Sequence, residues 1–143
     1  MPKITRIKLD DQSDEEYSIL GIVSAEADYK ISHLLNNKLK LSLKNNKTLD
    51  IPDAKGANLS FSRYSCSAGT PEITYSLISN RSGKNWLLRT FKNIDYILLV
   101  YCGEDKCNVD HLTKTLREIE KITAVFNLNP LEIKDKNLVY LTP

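Results

Sequence analysis

Residues 93–103 read N-I-D-Y-I-L-L-V-Y-C-G, the longest apolar run in the chain, and Gly103 ends it abruptly. In extended backbone, successive side chains point to opposite sides. Ile94, Tyr96, Leu98 and Val100 then share one side, and Ile97, Leu99 and Tyr101 share the other. A strand that is apolar on both sides belongs inside a sheet whose two faces are both covered. Residues 94–101 are therefore expected to form an interior strand with a neighbour on each side. Residues 17–24 (Y-S-I-L-G-I-V-S) repeat the two-faced pattern through Ile19 and Val23 on one side and Leu20 and Ile22 on the other. Gly21 within them points to a bulge or a close backbone neighbour.

Two stretches carry helical spacing. Asp28 is placed to cap a helix running to about Lys44, with Ile31, Leu34, Leu35 and Leu39 as its apolar stripe. Lys30, His33, Asn37, Lys40 and Lys44 fall on its opposite face, and Asn45-Asn46 supplies a left-handed stop. Asn108 caps a second helix, whose stripe is Val109, Leu112, Leu116 and Ile119, with Lys114 and Glu118 as an outward i,i+4 pair. Residues 48–58 contain Pro52 and Gly56 and read as a loop. Residues 59–64 and 72–79 read as a hairpin around S-A-G-T-P, and residues 80–83 as a turn. Residues 84–92 are irregular, and residues 124–128 are a strand. Residues 3–9 and 137–141 are expected as edge strands. The order strand, helix, hairpin, strand, helix, strand implies a single α+β domain over residues 1–143. Two helices pack on one face of a mixed, mostly antiparallel sheet, a ferredoxin-like arrangement with extra strands.

Charge and cysteine content narrow the function classes. The 20 Lys and Arg against 18 Asp and Glu leave +2, too balanced to indicate nucleic acid by net charge. Residues 1–11 alternate charges with single apolar residues and have no signal-peptide core. No run approaches the roughly 20 apolar residues that span a bilayer. Three cysteines in a chain of this size do not make a disulfide framework, so a reducing, cytoplasmic setting is expected.

Residues 88–96, L-R-T-F-K-N-I-D-Y, resemble the signature of the small bacterial proteins named for Ile-Pro-Glu-x-x-x-Val-Asp-Tyr. Asp95 and Tyr96 match it, Leu88 and Ile94 are conservative changes, and Arg89 and Thr90 stand where the signature has Pro and Glu. The runs L-G-I-V-S, A-D-Y-K-I-S-H-L-L-N and L-R-E-I-E-K-I-T-A-V-F-N-L resemble the same family's first strand, first helix, and last helix and strand. The family has no assigned activity, so the resemblance implies a small bacterial protein and a class rather than a reaction. It carries over no catalytic or binding residue and no cofactor.

Three groups of residues bear on chemistry. Cys102, Cys107 and His111, with Cys66 as a fourth ligand, have the residue types that zinc takes. Their C-x4-C-x3-H spacing fits no strong zinc signature, so small buried thiols and a surface His are the simpler reading. A nucleophilic Cys107 near a helix start lacks a nameable orienting residue and oxyanion donor. Residues 30–47 hold five lysines and no Asp or Glu, so Lys30, Lys40 and Lys44 are candidate phosphate contacts for RNA or DNA. No arginine or interleaved aromatic supports them there, and a solvated helix face is the plainer reading. Asp95 is expected to accept hydrogen bonds from the preceding loop, Tyr96 to pack in the core, and Trp86 to close one end of it. Glu104, Asp105 and Asp110 lack the spacing and turn glycine of a calcium loop. The leading expectation is a non-enzymatic interaction or regulatory module of a bacterial cytoplasm. With only short, charged termini to cover the second sheet face, a homodimer is expected to bury it.

Overall fold

In the computed structural model the described residues are 16–52, 56, 58–68, 73–103, 109–129, 132, 133 and 141. In chain order they form β1 (Glu16–Val23), α1 (Asp28–Leu39), β2 (Lys44–Asn45), β3 (Leu49–Pro52), β4 (Asn58–Phe61), β5 (Arg63–Ala68) and β6 (Ile73–Ser79). Then follow β7 (Arg81–Ser82), β8 (Asn85–Trp86), a short 3-10 turn (Arg89–Phe91), β9 (Tyr96–Gly103), α2 (Val109–Arg117) and β10 (Ala124–Leu128). The expected edge strand at residues 3–9 lies outside the described residues, as do residues 137–140 of the one at 137–141. Leu141, the last residue of that stretch, is buried in a 3-10 conformation rather than a strand.

The main sheet has six strands in the order β10-β1-β9-β6-β5-β2. The sheet was expected to be mixed, yet every described ladder in it is antiparallel. The reason lies in the order. β9 and β10 run the same way but have β1 between them, and β1 and β6 run the same way but have β9 between them. No parallel pair is adjacent, although each helix joins strands of like direction. β9 is interior, paired with β1 on one side and β6 on the other, as its two-faced apolarity requires.

Register turns that pattern into two cores. Leu77, Leu98 and Leu20 lie in one cross-strand row, and with Ile22, Tyr96, Val100, Cys102 and Val125 they face the helices. Ile31 and Leu35 of α1 and Leu116 of α2 cover them, together with Ile119 and Ile122 just beyond α2. On the other side, Ile19, Ile78, Ile97 and Leu99 meet a second layer. That layer consists of Ile51 and Phe61 from β3–β4, Leu87, Leu88 and Ile94 from the excursion between β6 and β9, and Ile133 and Leu141. The face from which a homodimer was argued is therefore filled by the chain itself. A homodimer would have to use another surface.

The second layer departs from the sequence expectation in identifiable ways. Residues 48–58 were expected to be a loop, but Leu49, Ile51, Leu59 and Phe61 alternate, and β3 pairs with β4 at Leu49↔Phe61 and Ile51↔Leu59. The expected hairpin survives with a shifted first strand: β5 begins at Arg63 and pairs with β6 through Tyr64↔Leu77 and Cys66↔Tyr75. Residues 80–83 open a tight β7–β8 hairpin, with Gly83 at φ 59°. Trp86 lies half-buried on this hairpin beneath Arg81, 5.5 Å from its ring centre, and closes neither core.

Ile94 was expected on the same side as Tyr96, but it belongs to the opposite layer. Residues 94 and 95 precede the ladder, and the strand alternation begins only at Tyr96. Ile94 instead packs over Gly21. A Cβ at position 21 would lie 2.5 Å from Ile94 Cδ1 and 3.1 Å from its Cγ1. The expected bulge or close backbone is therefore replaced by a close side chain, and the register shift in the β1–β9 ladder falls elsewhere, between Glu16 and Tyr17. Gly21→Ala should destabilise the fold by about 1–3 kcal/mol through overpacking. Ile94→Val removes the clashing Cδ1 at a cost of about 0.5–1.5 kcal/mol on its own. In urea denaturation the double variant should lose less than the two single losses added together. Strict additivity would mean that the two residues do not compete for the same space.

Candidate binding groove

The groove follows from where α1 stops. Its expected cap is displaced: Ala27 occupies the cap position, and the Asp28 carboxylate accepts from the Tyr29 N–H at 2.7 Å. The helix ends at Leu39, not near Lys44. Lys40 takes the left-handed conformation (φ 57°, ψ 48°) and donates its N–H to the Asn36 carbonyl. The Asn36 side chain then fastens the departing chain, with Oδ1 accepting from Leu43 N at 2.7 Å and Nδ2 donating to Leu43 O at 3.2 Å. Beside this early stop the sheet is walled by the end of α1 on one side and by α2 on the other.

The resulting cavity has a volume of about 340 Å³. Its floor is Ile73 and Tyr75 of β6 with Val100 and Cys102 of β9. Lys38 and Leu39 of α1 form one wall, and His111, Leu112 and Thr115 of α2 form the other. Lys38 Nζ reaches Glu118 Oε1 at 3.1 Å, an ion pair that joins the two helices. Glu118 was expected to pair with Lys114, its neighbour one turn back; its partner is Lys38 across the helix–helix gap. Thr115 Oγ1 donates to the His111 carbonyl at 2.9 Å, which turns the Thr115 side chain toward its own helix. Burial, followed by the charge of nearby Cys66, pushes the Tyr75 hydroxyl above its ordinary pKa, so it is a neutral donor at physiological pH.

The candidate ligand set is partly gathered here. Cys102 and His111 line the same groove, while Cys107 lies outside the described residues. Cys102 is disulfide-bonded, contrary to the expectation of reduced cysteines, and in that state its sulfur is not a thiolate ligand. Cys66, expected in the hairpin loop, is a half-buried free thiol on β5, paired in register with Tyr75. Among the described residues no three His, Cys, Asp or Glu side chains are grouped to hold a metal.

The basic stretch is divided. Lys30, in the first turn of α1, pairs with Glu26 at 3.4 Å, and Lys38 pairs with Glu118. Lys40 sits at the other end of α1, and Lys44 on edge strand β2, opposite Ser65. Lys47 lies farther along, where its carbonyl accepts from Arg63 Nε at 3.0 Å. Because α1 ends at Leu39, Lys30, Lys40 and Lys44 do not form one helix face.

Asp95 and Tyr96 have a structural setting. The Asp95 carboxylate accepts from Ser24 N at 2.9 Å, so its partner follows β1 and is not in the preceding loop. Ser24 Oγ donates to the Lys121 carbonyl at 2.7 Å, and the Tyr96 hydroxyl donates to the Glu26 carbonyl. Together these bonds fix the β1–α1 connection against β9 and the start of β10. Asn80, read from the sequence only as part of a turn, is fully buried. Its side chain donates to Phe91 O at 3.0 Å and Ile94 O at 2.9 Å and accepts from Leu88 N at 2.7 Å.

No family model, curated protein or solved structure matches the chain. No helix among the described residues is long and apolar enough to cross a membrane.

Burial, with Asp28 and Asp95 nearby, pushes the Tyr96 hydroxyl up to about 12. A raised folded-state pKa favours the protonated phenol, so this contribution is fully present below pH 10 and is lost as pH rises from about 10 toward 12. Tyr96→Phe should cost about 0.5–1.5 kcal/mol at neutral pH through the lost bond to Glu26. It should also flatten the alkaline loss of stability, leaving the parts due to Tyr17 and Tyr75, whose hydroxyls burial also raises. Chemical denaturation at a series of alkaline pH values checks both effects.

Proposed function

We propose that the protein is a non-enzymatic interaction or regulatory module that works by holding an apolar group in the groove between α1, α2 and the sheet. The observation that carries this reading is the cavity itself. Its volume is within the range of small-ligand sites, and its floor is apolar with a few polar groups at the margin. Both helices contribute walls and are tied by the Lys38–Glu118 pair, so occupancy bears directly on how the helices sit against each other. Kinship with the bacterial Ile-Pro-Glu-x-x-x-Val-Asp-Tyr proteins belongs to this reading, whereas the Cys102 disulfide removes the ground on which a reducing, cytoplasmic setting was expected. The strand order β10-β1-β9-β6, with α1 and α2 packed over one face, supports a ferredoxin-like arrangement extended by β5 and β2. The nucleic-acid alternative through Lys30, Lys40 and Lys44 has less support, because those lysines are spread over two ends of a helix and a sheet edge.

Indole, a neutral and largely apolar probe of suitable size, tests the reading. Titration should shift the amides of Ile73, Val100 and Leu112 together and saturate at one molecule per chain. Thr115→Trp, which fills the groove from α2, should abolish those shifts while leaving the far-ultraviolet circular dichroism unchanged. Shifts scattered over the surface, or unaltered in the filled variant, would remove the groove from consideration.

A further inference from the structure

Resting on the groove reading above, we propose that the natural occupant is a small carboxylate amphiphile. Its apolar body lies on the Ile73–Val100 floor, and its anionic head is held by the Lys38 ammonium and the Tyr75 hydroxyl. Size comes first. A dry apolar cavity of about 150 Å³ takes benzene. A half-open one of about 340 Å³ then takes an apolar body plus head of roughly ten to twelve heavy atoms. The polar groups on the lining decide the head. Tyr75 is half-buried, and its hydroxyl has no hydrogen-bond partner among the described residues. A ligand that covers this half-buried hydroxyl must accept its hydrogen bond or leave it unpaired, which is costly, so an acceptor is favoured there. Lys38, on the α1 wall, adds an ammonium whose protein partner is Glu118.

A carboxylate is the small group that accepts from a phenol and an ammonium together, and such charge-assisted bonds are the strong ones. An amine would meet Lys38 with like charge, and a neutral alcohol would leave the ammonium unused. Within the protein the Lys38 charge is answered by Glu118 at 3.1 Å. A ligand carboxylate therefore competes with a protein carboxylate for the same cation. Binding loosens the link between α1 and α2 as it fills the space between them. This gives the module a physical means of signalling occupancy.

The competition makes an unusual pair of variants informative. Octanoate, 1-octanol and octylamine differ only at the head and are titrated by calorimetry and amide shifts. Octanoate should bind the wild-type protein one to one, with a dissociation constant on the order of 0.1–1 mM. Octanol should bind about fivefold more weakly, and octylamine more weakly still. Lys38→Gln should weaken octanoate about threefold to fivefold without changing octanol. Glu118→Gln should strengthen octanoate about twofold to threefold, because it removes the competitor. A merely structural role for the ion pair would make both variants shift the two ligands alike. Thr115→Trp should abolish all binding, with Leu39→Trp as the second filled variant if the first does not fold. Equal affinity for octanoate and octanol, or weaker octanoate binding in Glu118→Gln, overturns the head-group assignment. If indole binds in the groove and octanoate does not, this inference falls and the groove reading stands. If neither binds, both fall.

Discussion

The packing of Ile94 onto Gly21 is the contact on which the rest of the sheet depends. Burying an isoleucine side chain contributes about 1.5–3 kcal/mol, and here the space exists only because position 21 has no side chain. On either side of Ile94 the backbone is held in a fixed sense. Asn80 N donates to Asp95 O at 2.9 Å, Asp95 N donates to Ile22 O at 2.9 Å, and Asn80 Nδ2 donates to Ile94 O. The chain leaves the sheet after β6, covers its second face with Leu87 and Leu88, and returns at the point it left. β9 can therefore pair with β6 on one side and β1 on the other from its first residue onward. Deleting any one Asn80 bond would strand a buried polar group, which costs more than the bond itself contributes.

The Asp-Tyr pair inside the signature-like segment has a physical role at this return point. Asp95 and Tyr96 both reach the β1–α1 connection, at Ser24 and Glu26 respectively. Arg89 and Thr90, where the signature has Pro and Glu, lie exposed on the 3-10 turn instead. Asp95 and Tyr96 thus hold β9 to the β1–α1 connection, while Arg89 and Thr90 lie at the exposed edge of the excursion.

What could be read from the sequence was periodicity with enough repeats. The interior strand, the first strand, the stripe of α2 and the strand at residues 124–128 each repeat an apolar spacing that only one kind of element satisfies. The misread parts lacked such repeats. β3 and β4 are four residues each, so their alternation gives two apolar positions apiece, and Pro52 and Gly56 outweigh them. The end of α1 was misplaced because its left-handed residue is Lys40. A lysine there gives no composition signal, and the bonds that stop the helix come from Asn36 to Leu43, seven residues apart. Lys38 was visible as one of five lysines, but its pairing with Glu118 depends on how two helices pack, which no local pattern contains.

That same misplaced end explains why the groove escaped notice. Val100 is buried on the helix face, while Ile73 and Tyr75 next to it remain only half-buried beside the end of α1. The second face is sealed by β3–β4, by the excursion around Asn80, and by Ile133 and Leu141. The helix face instead has a cavity, because Asn36 turns the chain back toward Leu43 and so draws Leu41 and Leu43 onto the core in place of a further helical turn. The two faces were equally apolar in the strands, so sheet pattern alone could not distinguish them. The difference arises where α1 gives way to the Asn36–Leu43 turn, so the function proposed here depends on a local backbone decision as well as on the sheet.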